Sequence, residues 1–160
     1  MVGAVVGHAL EATLVTIRLN TVAPDLVELV DRADDKTLRR VAILAAEFAV
    51  RRASLEDPRA DGALQAVREG RIGNVPERAA VEALAEALDD RQFRVRESIG
   101  SENPSSEEHL EAFGRARAAS SVFHSGDADA RIAALEALYE AGAVVDDLDD
   151  LRATVLPALS

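Results

Sequence analysis

The sequence predicts an all-α domain of about seven helices, packed as an antiparallel bundle or as stacked helical hairpins, with a HEAT-like arrangement among the options. Three observations lead there. The apolar content, 48% of 160 residues, is mostly Ala, Val and Leu, with four Phe, one Tyr and no Trp; strands enrich aromatic and β-branched side chains, whereas small ones let helices approach closely. Apolar positions recur three and four apart, which gathers them on one helix face. Pro, Gly and Asp interrupt these runs where helices start and stop. A chain of this length folds as one domain, burying roughly 70% of the surface its unfolded form exposes. Residues 1–160 therefore read as a single unit, with a candidate hinge at 101–106.

Taken in order, the first twenty residues place Val6, Leu10, Leu14 and Ile17 at helical spacing, while Thr13, Val15, Thr16 and Ile17 also suit a strand. Ala23-Pro24-Asp25 opens a short helix carrying Leu26, Leu29 and Val30, with proline tolerated in its first turn. Asp35 to Ser54 is apolar on most sides, through Leu38, Val41, Ala42, Ala45, Phe48 and Ala49 and a widening set of Ile43, Leu44, Ala46 and Val50; a helix of that kind is central and buried. Asp34 and Asp35 at its start and Arg51 and Arg52 at its end match the helix dipole.

Asp57-Pro58 reads as a cap and a first helical position, opening a helix that carries Leu64 and Val67 and stops at Gly70. After a loop from Arg71 to Val75, Val81, Leu84, Ala85 and Leu88 define a helix that extends through Phe93 and Val95, with a bend or break predicted near Asp89-Asp90 where charges shift the stripe. Ser101 to Ser106, with Asn103-Pro104, reads as an exposed connection. Ser105 and Glu108 have the spacing of a capping box, and the helix they open is expected to bury Leu110, Phe113, Ala116 and Phe123. Ser125-Gly126-Asp127 predicts a stop and a new cap before the face of Ile132, Leu135, Leu138 and Tyr139. Asp147 predicts the cap of a last helix with Leu148, Leu151, Val155 and Leu156 inside, limited by Pro157. The runs from Arg40-Val41-Ala42 to Phe48 and from Arg131-Ile132-Ala133 to Tyr139 align without gaps, which a duplicated hairpin or shared helix composition both explain.

Composition narrows the function. Without cysteine there are no disulfides, thiolate metal sites or thiol nucleophiles, and a reducing cytoplasm is the predicted compartment. Met1 to Asn20 lacks a basic start and is interrupted by His8, Glu11 and Arg18, so it reads as mature protein; no apolar run is long enough for a membrane span. A formal net charge of −11 repels nucleic-acid phosphates and favours a basic protein partner, or simply solubility.

Chemical signatures are sparse. His8 and Glu11 share a helix face, but the Glu-x-x-His pattern of dimetal bundles fails because Ser106 precedes His109 by three. His109 reads as part of a solvated acidic helix start, and His124 as an imidazolium at a helix C-terminus. An EF-hand beginning at Asp127 would need Gly and Glu where Ile132 and Leu138 stand, so calcium by that route is rejected. No phosphate loop or nucleophile elbow appears. Neither a metal nor a cofactor is implied, and the alternative of a helical-bundle enzyme or small-ligand-binding protein rests on the prospect that His8, Glu11 and Tyr139 meet in an inter-helix pocket. The exposed acids Asp146, Asp147, Asp149 and Asp150 are the candidate contacts for a basic partner. Alanine-rich faces leave homo-oligomerisation open.

The stretch Leu38-Arg39-Arg40-Val41-Ala42 through Phe48-Ala49-Val50, followed by Asp57-Pro58-Arg59 and Ala63-Leu64 to Gly70, resembles helical immunity proteins of bacterial toxin systems, with a weaker echo from Phe113 onward. That resemblance covers about the middle third of the chain. It implies a small non-enzymatic antidote that binds and occludes a toxin encoded beside it.

Overall fold

A computed structural model describes residues 2–99 and 106–160, without the side chains of 2–6, 8 and 99. The described residues form eight helices: α1 (Val2–Val22), α2 (Pro24–Arg32), α3 (Asp35–Ala53), α4 (Pro58–Arg68), α5 (Pro76–Ile99), α6 (Glu107–Ser125), α7 (Ala130–Ala143) and α8 (Asp149–Leu159). Among them there is no strand, and none of these helices is long and apolar enough to cross a membrane. The hinge predicted at 101–106 lies outside the described residues except for Ser106.

Helix α3 packs against α6, α7 and α8, α6 also packs against α5, and α1 and α2 contact α7. The core follows this order. Val41, Ala42, Ala45 and Ala49 of α3 are fully buried, as are Ala118 and Ala119 of α6 and Leu135 and Leu138 of α7. With alanine on so many facing positions the helices approach closely, and Ser121 of α6 donates a buried hydrogen bond of 2.9 Å to the Ala137 carbonyl of α7. The central place predicted for the helix beginning at Asp35 is observed.

Local chemistry explains most boundaries. Asp34 caps α3 by accepting from the Thr37 amide at 2.8 Å, and Ser54 ends it in the left-handed conformation at φ 51°. Asp57 and Pro58 open α4 as cap and first residue, and Gly70, at φ 79°, turns the chain after it.

Six expectations need correction. Residues 2–22 are helix throughout rather than strand, and the residues placed at helical spacing are not the ones that pack: Leu10, Leu14 and Ile17 are exposed, while Val15 and Leu19 are buried. A helix apolar all round offers no single face by spacing alone. Second, α5 does not break at Asp89-Asp90, because Asp89 turns inward to Arg117 and Gln92 to His109, so polar side chains extend its packed face. Third, α6 is capped by Ser106, which accepts from the His109 amide at 3.2 Å, and not by Ser105, which lies outside the described residues. Fourth, Leu110 is 55% exposed rather than buried. Fifth, α7 is capped by Asp129, which accepts from the Ile132 amide, while Asp127 holds the turn by accepting from the Asp129 amide. Sixth, Asp147 accepts from the Asp149 amide at 2.8 Å one step outside α8, whose cap position is Leu148, and Pro157 sits within that helix.

Candidate functional site

Two features carry chemistry. One is a cleft of about 570 Å³ between α1–α2 and α7–α8. Its floor includes Leu19, Leu26, Leu138 and Leu151, buried because α2 and α8 lean on the same side of the core. Asp146 and Asp147 form its acidic lip, since the loop between α7 and α8 carries them to the surface. Arg152 lines the opposite margin and donates to both carboxylate oxygens of Asp25, at 3.0 and 3.1 Å, tying α8 to α2. The volume lies within the roughly 300–1,000 Å³ typical of small-molecule sites.

All four acids singled out from the sequence are exposed, but only two of them line the cleft. Asp150 forms an ion pair with Arg52 of α3, and Asp149 approaches Arg152 at 3.8 Å. The acidic run is therefore split between a structural pair and the lip.

The other feature is a polar cluster inside the bundle. Arg117 of α6 donates to Glu140 of α7 at 2.9 Å and to Asp89 of α5 at 2.5 Å, joining three helices. Arg18 of α1 donates to Glu136 of α7 at 3.3 Å and lies 4.9 Å from the centre of the Tyr139 ring. Glu136 is only 3% exposed. Burial raises its pKa from the usual carboxylate range to about 7, outweighing the lowering by Arg18; Glu140, Glu11 and Asp127 add to the rise. Glu140 is likewise raised, chiefly by burial and against the pull of Arg117.

His124 overturns its sequence reading. Burial, reinforced by Arg78, Arg18 and Arg117, lowers its pKa to about 4, so the imidazole is neutral at physiological pH. The C-terminal carbonyls of α6 take their positive partner from elsewhere: Arg78 stacks 4.1 Å above the Phe123 ring and its Nε donates to the Phe123 carbonyl at 3.0 Å. Arg39 of α3 donates to the Ser125, Asp127 and Ala128 carbonyls of the adjoining turn. His109 differs from expectation too, since its Nε2 meets Gln92 Oε1 at 3.2 Å in a half-buried contact between α6 and α5.

Glu11, His124 and Glu136 bring one ligand-type atom each to within 4.8 Å of one another. They come from α1, α6 and α7, so no local spacing announces them. Of the trio His8, Glu11 and Tyr139, the His8 side chain lies outside the described residues. Arg18 donates to Glu136, which stands beside Glu11, and lies over the Tyr139 ring.

Comparisons with protein-family models, with curated proteins and with solved structures returned no match to this chain.

Proposed function

We propose that the chain is a non-enzymatic protein-binding domain whose cleft between α1–α2 and α7–α8 receives a basic, partly apolar segment of a partner protein. One observation carries this reading: an apolar floor of leucines opens directly beneath the exposed carboxylates of Asp146 and Asp147. Apolar contact at the floor supplies affinity, while the acidic lip on a chain of net charge −11 steers a positively charged partner into place. In its finer form the reading is of immunity type: in the cytoplasm, the domain covers a basic toxin by occlusion. The likeness of residues 38–70 to helical immunity proteins supports that form.

The test is to titrate the purified domain with purified basic products of the genes beside its own, following association and dissociation rates over a series of salt concentrations. The paired substitution Asp146→Asn/Asp147→Asn is expected to slow association and flatten its salt dependence. Val22→Arg, which places bulk and positive charge at the cleft mouth, is expected to speed dissociation. Absence of a complex, or a complex indifferent to both variants, refutes the reading.

A second reading, self-association, is favoured by the stripe of Leu10, Leu14 and Ile17 along α1, exposed by 58%, 50% and 59%. These residues recur at helical spacing on one face and are suited to pairing with the same face of a second copy. A sedimentation mass that stays monomeric as concentration rises excludes it.

A further inference from the structure

The strongest unassigned chemistry lies where α1, α6 and α7 converge, outside the cleft. The donor atoms of Glu11, His124 and Glu136 stand within 4.8 Å of one another. A tetrahedral zinc ion with bonds near 2.1 Å would place its ligand atoms about 3.4 Å apart, so small side-chain rotations close the site. One imidazole and two carboxylates form a donor set suited to divalent first-row transition ions.

Two further observations favour a cation there. Among the described residues, His124 Nδ1 is buried and has no hydrogen-bond partner, a costly condition for an imidazole nitrogen held among helices. Carboxyl groups also outnumber the cations at this junction among the described residues. Arg117 is engaged by Glu140 and Asp89, and Arg78 approaches Asp127 at 3.6 Å, so both of these cations are already matched by carboxylates. Among the described residues that leaves Arg18 opposite the carboxyl groups of Glu11 and Glu136. Among the described residues Arg18 donates to Oε1 of Glu136, and no hydrogen bond reaches the second oxygen of that carboxylate.

We propose that Glu11, His124 and Glu136 bind a divalent transition-metal ion such as Zn²⁺, with the imidazole and the two carboxylates as ligands and a fourth position open to water. The ion joins α1 to the α6–α7 pair. Three protein ligands and an open position distinguish such a centre from a closed structural zinc site.

The test is Zn²⁺ titration of the metal-free protein by calorimetry, with elemental analysis after dialysis and thermal unfolding with and without Zn²⁺. The expected result is one zinc per chain and a higher melting temperature with the metal. Glu11→Gln and His124→Gln are each expected to weaken binding by more than about 100-fold, since disturbing even outer-shell partners of a metal site costs 10–100-fold. Glu11 is half-buried on α1, so its variant carries the test if His124→Gln fails to fold. His109→Gln and Asp146→Asn/Asp147→Asn should bind as the wild type does. Lack of saturable binding overturns the proposal, as does zinc binding that survives Glu11→Gln or that disappears with the Asp146 and Asp147 substitutions.

Discussion

At the scale of single residues, folding moves a proton. In an unfolded chain near pH 5.5 a histidine is charged and a glutamate is ionised; in the folded protein His124 titrates at about 4 and Glu136 at about 7. The pair is therefore neutral imidazole beside a protonated carboxyl. Each group stabilises the fold on one side of this window. The contribution of Glu136 is complete below its unfolded value of 4.5 and is lost as pH rises through 7, whereas that of His124 is complete above 6.5 and is lost as pH falls through 4. Between pH 4.5 and 6.5 the slopes oppose and nearly cancel. Urea unfolding in chelator-treated buffer separates them: Glu136→Gln gains about 3 kcal/mol on the wild type between pH 4.5 and 8, and His124→Gln gains a similar amount as pH falls from 7 to 4. Curves that run parallel to the wild type at all pH values would contradict this. The sequence placed His124 correctly at the end of a helix, but its charge state depends on α1, α5 and α7 closing around it. No local pattern carries that information.

At the scale of elements, the Arg117 contacts decide how α5, α6 and α7 meet. Glu140 is 6% exposed and depends on Arg117 for its charge partner, while Asp89 accepts from the same guanidinium on the other side. Removing one partner of a buried pair strands the other, at about 3–5 kcal/mol, whereas replacing both with apolar side chains is often neutral. Arg117→Ala is therefore expected to lower unfolding free energy by about 3 kcal/mol, with much of the loss recovered in Arg117→Met/Glu140→Leu. Chemical denaturation of the single and double variants reads this directly. Equal destabilisation in both would contradict this, because removing the stranded Glu140 carboxyl would then recover nothing. These contacts also explain why helix existence was legible and the predicted break in α5 was not. Caps and prolines at Asp34, Asp57 and Pro58 act within a few residues and are visible in the chain. Asp89 looks like a stripe-breaking charge until Arg117, on the next helix, is placed opposite it. Likewise the apolar run of α1 leaves helix and strand both open and does not choose Val15 and Leu19 over Leu14 and Ile17.

At the scale of the whole molecule, charge is arranged unevenly. Arginines tie helix to helix: Arg131 to Asp31, Arg152 to Asp25, Arg68 to Glu47 and Arg117 to Asp89 and Glu140. The net charge of −11 could be counted from composition, but only the packing of α3 against α6, α7 and α8 shows which acids are matched and which, such as Asp146 and Asp147, face solvent at the cleft. Salt acts on the two groups in opposite directions. It weakens exposed pairs such as Arg32 with Glu28, each worth about 0–1 kcal/mol, and it relieves the mutual repulsion of the surplus acids. The Debye length falls from about 30 Å at 0.01 M to about 8 Å at 0.15 M, so long-range repulsion across a domain of this size is screened while close pairs change less. Repulsion outweighs pairing when charge is this one-sided, and the melting temperature is expected to rise as NaCl is increased from 0.01 to 0.15 M, by roughly the few degrees that about 1 kcal/mol represents for a chain of this length. Scanning calorimetry across a salt series in chelator-treated buffer checks the sign. A melting temperature that falls with salt would mean that the inter-helix ion pairs outweigh the surplus acidity.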